Sequence, residues 1–402
     1  MVILRSIKDA EIKGKRVLMR VDFNVPQDKE GNIIDDTKIR AALPSINYVI
    51  ENQGRLILMS HLGRPKGQPE EKYSLKKVGA RLQELVNTPV TLASATVGPE
   101  VEKKVADLKP GQVLVLENVR FNPGEEKNDR DLSRQFASLG DLFVNDAFGT
   151  AHRAHSSTVG VADFLPAYAG FLMEREVSML QKVLDNPEGP KMAIMGGAKI
   201  SDKLGLIDNF INKLDIILIG GGMANTFLKA MGHNIGKSLH EEDLLEDARK
   251  LVEKAKARKV EILLPEDVVV AGEISATAST RVLDVNEVSN EMMILDIGPK
   301  TREKYRKAIA RAKTIIWNGP MGVFEYQPFA AGTEAVARAI AESSAVSVAG
   351  GGETAAAVQK MGFNEKITHI STGGGATLEF LEGITLPGVA VCEIELSGVA
   401  GS

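Results

Sequence analysis

The stretch Met192-Ala193-Ile194-Met195-Gly196-Gly197-Ala198-Lys199-Ile200-Ser201-Asp202-Lys203 decides the fold. Its apolar run reads as a buried strand and Gly196-Gly197 end it. Leu204, Ile207, Phe210, Ile211 and Leu214 then recur at helical spacing. A strand, a glycine turn and a helix in that order are the repeating unit of a parallel α/β sheet. Such a turn leaves backbone N–H groups free, and the helix start carries partial positive charge, so the junction suits an anion. Lys199 and Lys203 are spaced to share one face of the first helical turn, where they repel each other unless an anion lies between them. Two solvated lysines are the plainer reading of such a pair; the glycines before them favour a polyphosphate site.

The same alternation runs through the chain. Short apolar runs at 17–21, 56–59, 113–116, 142–144, 193–195, 216–219, 262–264, 314–317, 346–348 and 368–370 read as strands, with helical patterns between most of them. The stretch 241–258 is the clearest helix, with Leu244, Leu245, Ala248, Leu251, Val252 and Ala255 on one face. This is an α/β pattern with doubly wound parallel sheets. Ten strands are many for one open sheet, so two domains are expected. Pro187-Glu188-Gly189-Pro190 is the best break, and 171–184 before it reads as a helix bridging the halves. The stretch 268–289 reads as a β-rich excursion within the second half.

Composition narrows the function. The 402 residues carry a net charge of -4 with 44% hydrophobic and 25% charged residues, ordinary for a soluble globular protein. Neither nucleic acid nor an anionic membrane is the default partner of such a chain. With 5% aromatic residues, stacking on single-stranded nucleic acid is not expected. The single Cys392 cannot form an internal disulfide or a Cys-based metal site, which fits a reducing, cytoplasmic setting. No apolar stretch reads as a signal peptide or a bilayer span.

In open α/β sheets, ligands bind beyond the carboxyl ends of the strands. In the first half those ends read Asp22-Phe23-Asn24, Ser60-His61-Leu62-Gly63-Arg64-Pro65, Glu117-Asn118-Val119-Arg120-Phe121 and Asn145-Asp146-Ala147-Phe148-Gly149, continuing to His152-Arg153-Ala154-His155. Arg64, Arg120 and Arg153 on three strand ends can converge on a small polyanion, because guanidinium matches phosphate and carboxylate in a bidentate fashion. Asp22 and Asn24 suit a ligand with hydroxyls. In the second half the ends are glycine turns opening helices: Gly196-Gly197, Gly220-Gly221-Gly222, Asn318-Gly319-Pro320, Gly350-Gly351-Gly352-Glu353-Thr354 and Ser371-Thr372-Gly373-Gly374-Gly375. That side suits a nucleotide. Glu353 is a carboxylate for a Mg²⁺ that travels with it, or simply a helix-start charge. Glu325 could meet a ribose.

Three other signals are set aside. Gly232 to Ser238 resembles a P-loop, but its glycines are one residue too close and it follows a helix. His152, His155 and Ser156 with Asp146 suggest a hydrolase triad, but there is no nucleophile elbow. A dehydrogenase reading lacks a Gly-x-Gly-x-x-Gly after a strand. An anionic substrate on one sheet and a nucleotide on the other imply group transfer. If a phosphoryl group passes between a carboxylate and a nucleoside diphosphate, no general base is needed, and catalysis is positioning plus charge stabilisation.

The motifs Arg20-Val21-Asp22-Phe23-Asn24-Val25-Pro26, Ser60-His61-Leu62-Gly63-Arg64-Pro65, Glu117-Asn118-Val119-Arg120-Phe121, the run Asn145 to Ser156, Gly196-Gly197-Ala198-Lys199, Trp317-Asn318-Gly319-Pro320 and Ser371-Thr372-Gly373-Gly374-Gly375-Ala376 resemble the phosphoglycerate kinase family, in order, from near Arg16 to near Gly388. The resemblance implies transfer of the acyl phosphate of 1,3-bisphosphoglycerate to ADP with Mg²⁺. It implies a monomer of two Rossmann-like domains: 1–170 for phosphoglycerate, 171–189 as interdomain helix and hinge, 190–387 for nucleotide, and 388–402 returning to the first domain. By that likeness Asp22, Asn24, Lys38, His61, Leu62, Gly63, Arg64, Arg120 and Arg153 hold the phosphoglycerate. Gly197, Ala198, Lys199, Lys203, Gly221, Asn318, Pro320, Glu325, Gly351, Gly352, Glu353 and Thr354 hold the nucleotide, Glu353 through Mg²⁺. Lys38, Lys199, Gly351 and Gly374 serve the transferring group. Three positions depart from the family: Lys38 replaces an Arg and loses its planar fork, Glu353 replaces an Asp, and Ile294 replaces a Gly beside the nucleotide. A rival reading is a binding protein on the same scaffold, catalytically weakened by those changes.

Overall fold

The structure is a computed structural model that describes residues 2–186 and 188–394. The chain forms two compact units, Met1–Ser178 with the chain from Thr385 on, and Met179–Ile384. The first unit is built on β1 (Arg16–Arg20), β2 (Arg55–Met59), β3 (Val90–Leu92), β4 (Val113–Val115), β5 (Leu142–Asn145) and β6 (Ala167–Ala169). They form one sheet in the order β3-β4-β2-β1-β5-β6, and every pairing is parallel. Strands buried on both faces need continuous apolar runs, which is why Val17, Leu18, Met19, Leu56, Ile57 and Leu58 are all inaccessible. Each such side chain contributes about 1.5–3 kcal/mol by leaving water. The order reverses on either side of β1, which opens a crevice at the strand ends there.

The second unit holds β7 (Lys191–Met195), β8 (Ile216–Ile219), β9 (Glu261–Leu263), β10 (Asp267–Ala271), β11 (Arg281–Asp284), β12 (Met293–Ile297), β13 (Thr314–Asn318), β14 (Val346–Gly350) and β15 (His369–Ile370). The main sheet is parallel, in the order β15-β14-β13-β7-β8-β9, and reverses around β7. The β-rich excursion is a separate antiparallel sheet, β11-β10-β12. Both main sheets are of the doubly wound α/β type expected.

Several expectations need correction. All ten anticipated strands are present and the small sheet runs past the expected 268–289 to take in β12, while β3 and β6 are additional. They lie at the two edges of the first sheet and are three residues long, too short for a periodicity to register. The boundary between units falls within the helix Phe171–Asp185, between Ser178 and Met179, so the bridging helix is shared rather than a segment of its own. Its first turn is anchored in the first unit, where Phe171 N donates to Ser45 Oγ and its ring meets Tyr48 edge-on. Near its far end Asn186 Nδ2 donates to Thr314 Oγ1 in the second unit. The chain rejoins the first unit from Thr385, three residues before the expected point. There Asn145 Nδ2 donates to Gly388 O, Gly388 N donates to Ala151 O, and Arg5 N donates to Cys392 O. The last eight positions of the expected tail, 395–402, lie outside the described residues. Among the described residues no helix is long and apolar enough to cross a membrane.

Asp146 tests how this packing governs stability. It is fully buried under Gly170 and accepts from the N–H groups of Leu172 and Met173. Burial outweighs those bonds and pushes its carboxyl up to about 7, against about 3.9 in an unfolded chain. Between those values the folded unit holds a proton that the unfolded chain has released. The contribution is therefore complete below about pH 4 and lost as pH rises through 7. Asp146→Asn removes the titration, and Asp296, shifted the same way in the other unit, is unchanged in the comparison. Denaturation at about pH 5 and about pH 8 should show the stability difference between the two pH values shrinking by on the order of 2 kcal/mol in the variant; equal differences would mean that Asp146 titrates normally.

Candidate functional site

In the first unit the ends of β1, β2, β4 and β5 enclose a cavity of about 230 Å³ lined by Asp22, Asn24, Lys38, His61, Gly63, Arg64, Arg120, Gly149, Thr150, His152 and Arg153. Eight of the nine residues expected to meet the phosphoglycerate are among them. The exception is Leu62, whose side chain is buried in the core while its carbonyl accepts from Asn118 Nδ2; it does not line the cavity.

The lining has four cationic side chains against one carboxylate, and two of them, Lys38 and Arg120, are set by specific bonds. Lys38 Nζ lies 2.8 Å from Asp22 Oδ2, and Asp22 Oδ1 accepts from Asn24 N. Burial pushes the Asp22 carboxyl up, but Lys38, by its charge and its hydrogen bond, and the Asn24 N–H hold it below the usual range. Asn24 Oδ1 accepts from Gly63 N, and Arg120 Nη1 donates to Gly63 O, so the turn after β2 is held from both sides. Arg64 and Arg153 are exposed, and among the described residues neither is in an ion pair.

Arg20, at the end of β1, is the residue that sequence reasoning quoted but assigned no role. It is fully buried, donates from Nε to Ser157 Oγ, and places Nη2 3.3 Å from His61 Nδ1. Guanidinium can only donate, so Nδ1 accepts and the His61 ring hydrogen sits on Nε2. Burial, and then Arg20, push the His61 imidazolium well below its ordinary range. His61 is therefore a neutral hydrogen-bond donor in this cavity. A charge ending an otherwise apolar strand was the available signal for Arg20.

The triad set aside on sequence grounds is absent in space as well. Asp146 faces the helix start at Leu172, while Ser156 Oγ is directed at the carbonyls of Gly124 and Asp129. In the loop resembling a P-loop, Lys237 borders the second-unit cavity but pairs with Glu291, and Ser238 Oγ accepts from Ile294 N.

In the second unit a cavity of about 370 Å³ is lined by Gly197, Ala198, Gly221, Pro320, Glu325 and Glu353 of the expected nucleotide residues. Its other walls are largely apolar, with Leu228, Leu239, Ile274, Met293, Ile294 and Val323. These come from the helix Gly221–Ala230, the loops that follow it and follow β10 and β13, and β12, and of them the sequence singled out Ile294. Lys199, Lys203, Asn318, Gly351, Gly352, Thr354 and Gly374 lie outside this lining. Two of them brace it: Thr354 Oγ1 accepts from Gly319 N, and Asn318 Nδ2 donates to Gly350 O. Gly351 and Gly374 immediately precede the helices Gly352–Lys360 and Gly375–Glu382, at φ +93° and +54°, a left-handed backbone that a side chain strains.

The opening turn differs from expectation. After β7, residues 196–200 form an irregular loop, Ser201–Lys203 a 3₁₀ turn, and the α-helix starts at Leu204. Lys199 and Lys203 therefore do not share a helical face. Lys199 is exposed on the loop. Lys203 turns inward to donate to the carbonyls of Gly196 and Asn318. Burial brings its ammonium down to about 8, against the opposing pull of Glu353 and Asp202. The N–H groups of Ile200 and Ser201, which the expected anion site would offer, are occupied by the Glu241 carboxylate.

A family model described as phosphoglycerate kinase matches residues 7–384. The phosphoglycerate kinase of Herpetosiphon aurantiacus is 55% identical over 386 residues, covering 96% of this chain and 98% of its own. That of Chloroflexus aggregans is 55% identical over 394 residues, covering 97% and 98%. Among solved structures, the phosphoglycerate kinase from Coxiella burnetii matches with a TM-score of 0.88 at 43% identity, over 97% of this chain and 99% of its own. The enzyme from Pyrococcus horikoshii matches with 0.82 at 36% identity, over 97% and 98%.

The glycine turns give a direct test. A Cβ on Gly196 would lie 2.1 Å from Pro320 O and 2.7 Å from Gly319 O. Gly196→Ala is expected to cost about 1–3 kcal/mol and to weaken ADP binding, read by urea denaturation and calorimetry. An unchanged midpoint would show that the two turns can separate freely.

Proposed function

Because this chain belongs to the phosphoglycerate kinase family, and so moves a phosphoryl group between 1,3-bisphosphoglycerate and ADP to give 3-phosphoglycerate and ATP, we propose that its first-unit cavity holds the phosphoglycerate and its second-unit cavity the nucleotide. The observation that carries this assignment is the convergence of Lys38, Arg64, Arg120 and Arg153 on one small cavity at strand ends. A ligand with several negative charges and a hydroxyl matches it: the guanidinium groups take the phosphate and carboxylate, while Asp22, Asn24 and the His61 Nε2–H take the remaining polar atoms. The apolar walls of the other cavity suit a base, with Glu325 at the ribose. Gly197, Ala198 and Gly221 let the backbone approach the ligand closely.

The attacking oxygens on both sides, a carboxylate and a diphosphate, are ionised at neutral pH, so no side chain has to move a proton. Lys199 and the helix starts at Gly351 and Gly374 act on charge in the transferring group, and Lys203 on the nucleotide phosphates. Lys38 serves that group too, as a point charge rather than a planar fork, and its pairing with Asp22 holds it at the cavity. Glu353 at the head of the helix Gly352–Lys360 offers one hard oxygen donor beside the nucleotide cavity. That donor set fits a Mg²⁺ held mainly by phosphate oxygens, and the ion would neutralise phosphate charge. The hinge reading of 171–189, a monomeric state and a cytoplasmic location belong to the same proposal. Closure that excludes water is what protects a phosphoryl group from hydrolysis.

A coupled assay with ADP and 1,3-bisphosphoglycerate should show turnover, and Lys199→Ala should cut kcat by at least ~10². Unaltered turnover in that variant would remove Lys199 from the mechanism. Lys38→Arg is expected to remain active; a dead variant would mean that the site is shaped around lysine. Binding of Mg·ADP and 3-phosphoglycerate by calorimetry without turnover would instead favour the weakened binding protein.

A further inference from the structure

Lys199 sits on a loop that has no regular structure of its own. One end of the loop is held by backbone bonds: Gly196 N donates to Asn318 O, Gly197 N to Pro320 O, and Met223 N to Gly197 O. Ala198 and Lys199 are exposed between that anchor and the next. The second anchor is a side chain from forty residues on. Glu241 Oε2 accepts from Ile200 N at 2.7 Å and Ser201 N at 3.0 Å, and Oε1 accepts from Ser201 Oγ at 2.5 Å. Glu241 is itself fixed, because its N–H donates to Thr226 Oγ1, buried in the helix Gly221–Ala230. That helix begins at the nucleotide cavity, with Gly221 and Gly222 in its lining.

We propose that Glu241 is a positioning residue for Lys199, its carboxylate filling the amide cradle after the loop and so fixing the geometry from which Lys199 projects. Three hydrogen bonds to an anion are charge-assisted and strong for their number. The N–H groups of Ile200 and Ser201 point together at the start of the 3₁₀ turn, and the protein itself supplies the anion that takes them. Nucleotide phosphates are thereby kept off this turn. Burial pushes the Glu241 carboxyl up, but the bonds from Ser201 and Ile200, with Lys199 nearby, outweigh it, and it stays ionised at neutral pH. Without Glu241 the loop keeps its glycine anchor and loses the other, so Lys199 remains present but samples more positions. Small misplacement of a charge that acts in a transition state costs rate rather than binding.

The inference rests on the role given to Lys199 above, and a double-mutant cycle separates the two. Steady-state kinetics would be measured for Glu241→Ala, Lys199→Ala and the double variant, with thermal melting of each. Glu241→Ala should lower kcat about tenfold with KM for both substrates within about twofold and the melting temperature nearly unchanged. On the Lys199→Ala background the same change should cost less than about twofold, because Glu241 acts through Lys199. Glu241→Gln, which keeps an acceptor but loses the charge, should fall between wild type and Glu241→Ala, and it serves if the alanine variant does not fold. A full tenfold loss on top of Lys199→Ala, or no loss of kcat in Glu241→Ala, would overturn the proposal. Normal turnover in Lys199→Ala would overturn the role of Lys199 itself and this inference with it.

Discussion

Three turns of the second unit pass so close together that only bare backbone fits between them. A Cβ at Gly196 would sit 2.1 Å from Pro320 O, one at Gly319 2.3 Å from Gly196 O, and one at Gly221 2.6 Å from Gly197 N. The ends of β7, β8 and β13 are thus locked edge to edge, and much of the nucleotide cavity is built on that contact. Trp317 Nε1 donates to Gly319 O and Thr354 Oγ1 accepts from Gly319 N, so the core and the next helix start are referenced to the same point. Lys203 is drawn in to donate to Gly196 O at the turn and, at longer range, to Asn318 O, which also accepts from Gly196 N.

The first unit reaches precision by another route. Its cavity is made of charged side chains, and charges near one another must be held against repulsion and burial. A buried layer does this: Arg20 is bonded to Ser157, and Ser157 to Glu125. Arg20 also fixes the tautomer of His61. The exposed arginines stand in front of this layer, where a ligand can replace water. One unit thus presents cations on a rigid base and the other presents peptide amides and an apolar slot. That division suits a reaction in which both ends of the transferred group are already ionised, so that stabilising moving charge is the protein's main task.

The three departures from the family pattern look different once placed. Lys38 is engaged with Asp22, which gives a flexible ammonium a defined position. Ile294 is a wall of the nucleotide cavity, and its N–H is bonded to Ser238 Oγ. Glu353 borders the cavity and pulls on Lys203. None of them disturbs the strand ends.

What the sequence by itself determined was the class of fold, the position of ten strands and the character of each strand end, because buried parallel strands must be apolar runs and their ligand-bearing ends must be polar or glycine. Seven cavity residues of the first unit were legible for that reason, each lying in the loop after a strand, while the eighth, Lys38 in the helix Thr37–Glu51, was expected only from the family resemblance. Only the tertiary structure decided which groups serve them. The pairing of Arg20 with His61, the anchoring by Glu241 of a loop forty residues away, and the apolar wall from the small sheet are contacts between distant segments. No local periodicity encodes such contacts. The same holds for Lys199 and Lys203: spacing placed them on one helical face, but the carbonyls of Gly196 and Asn318 at the turn drew Lys203 inward and left Lys199 on the loop.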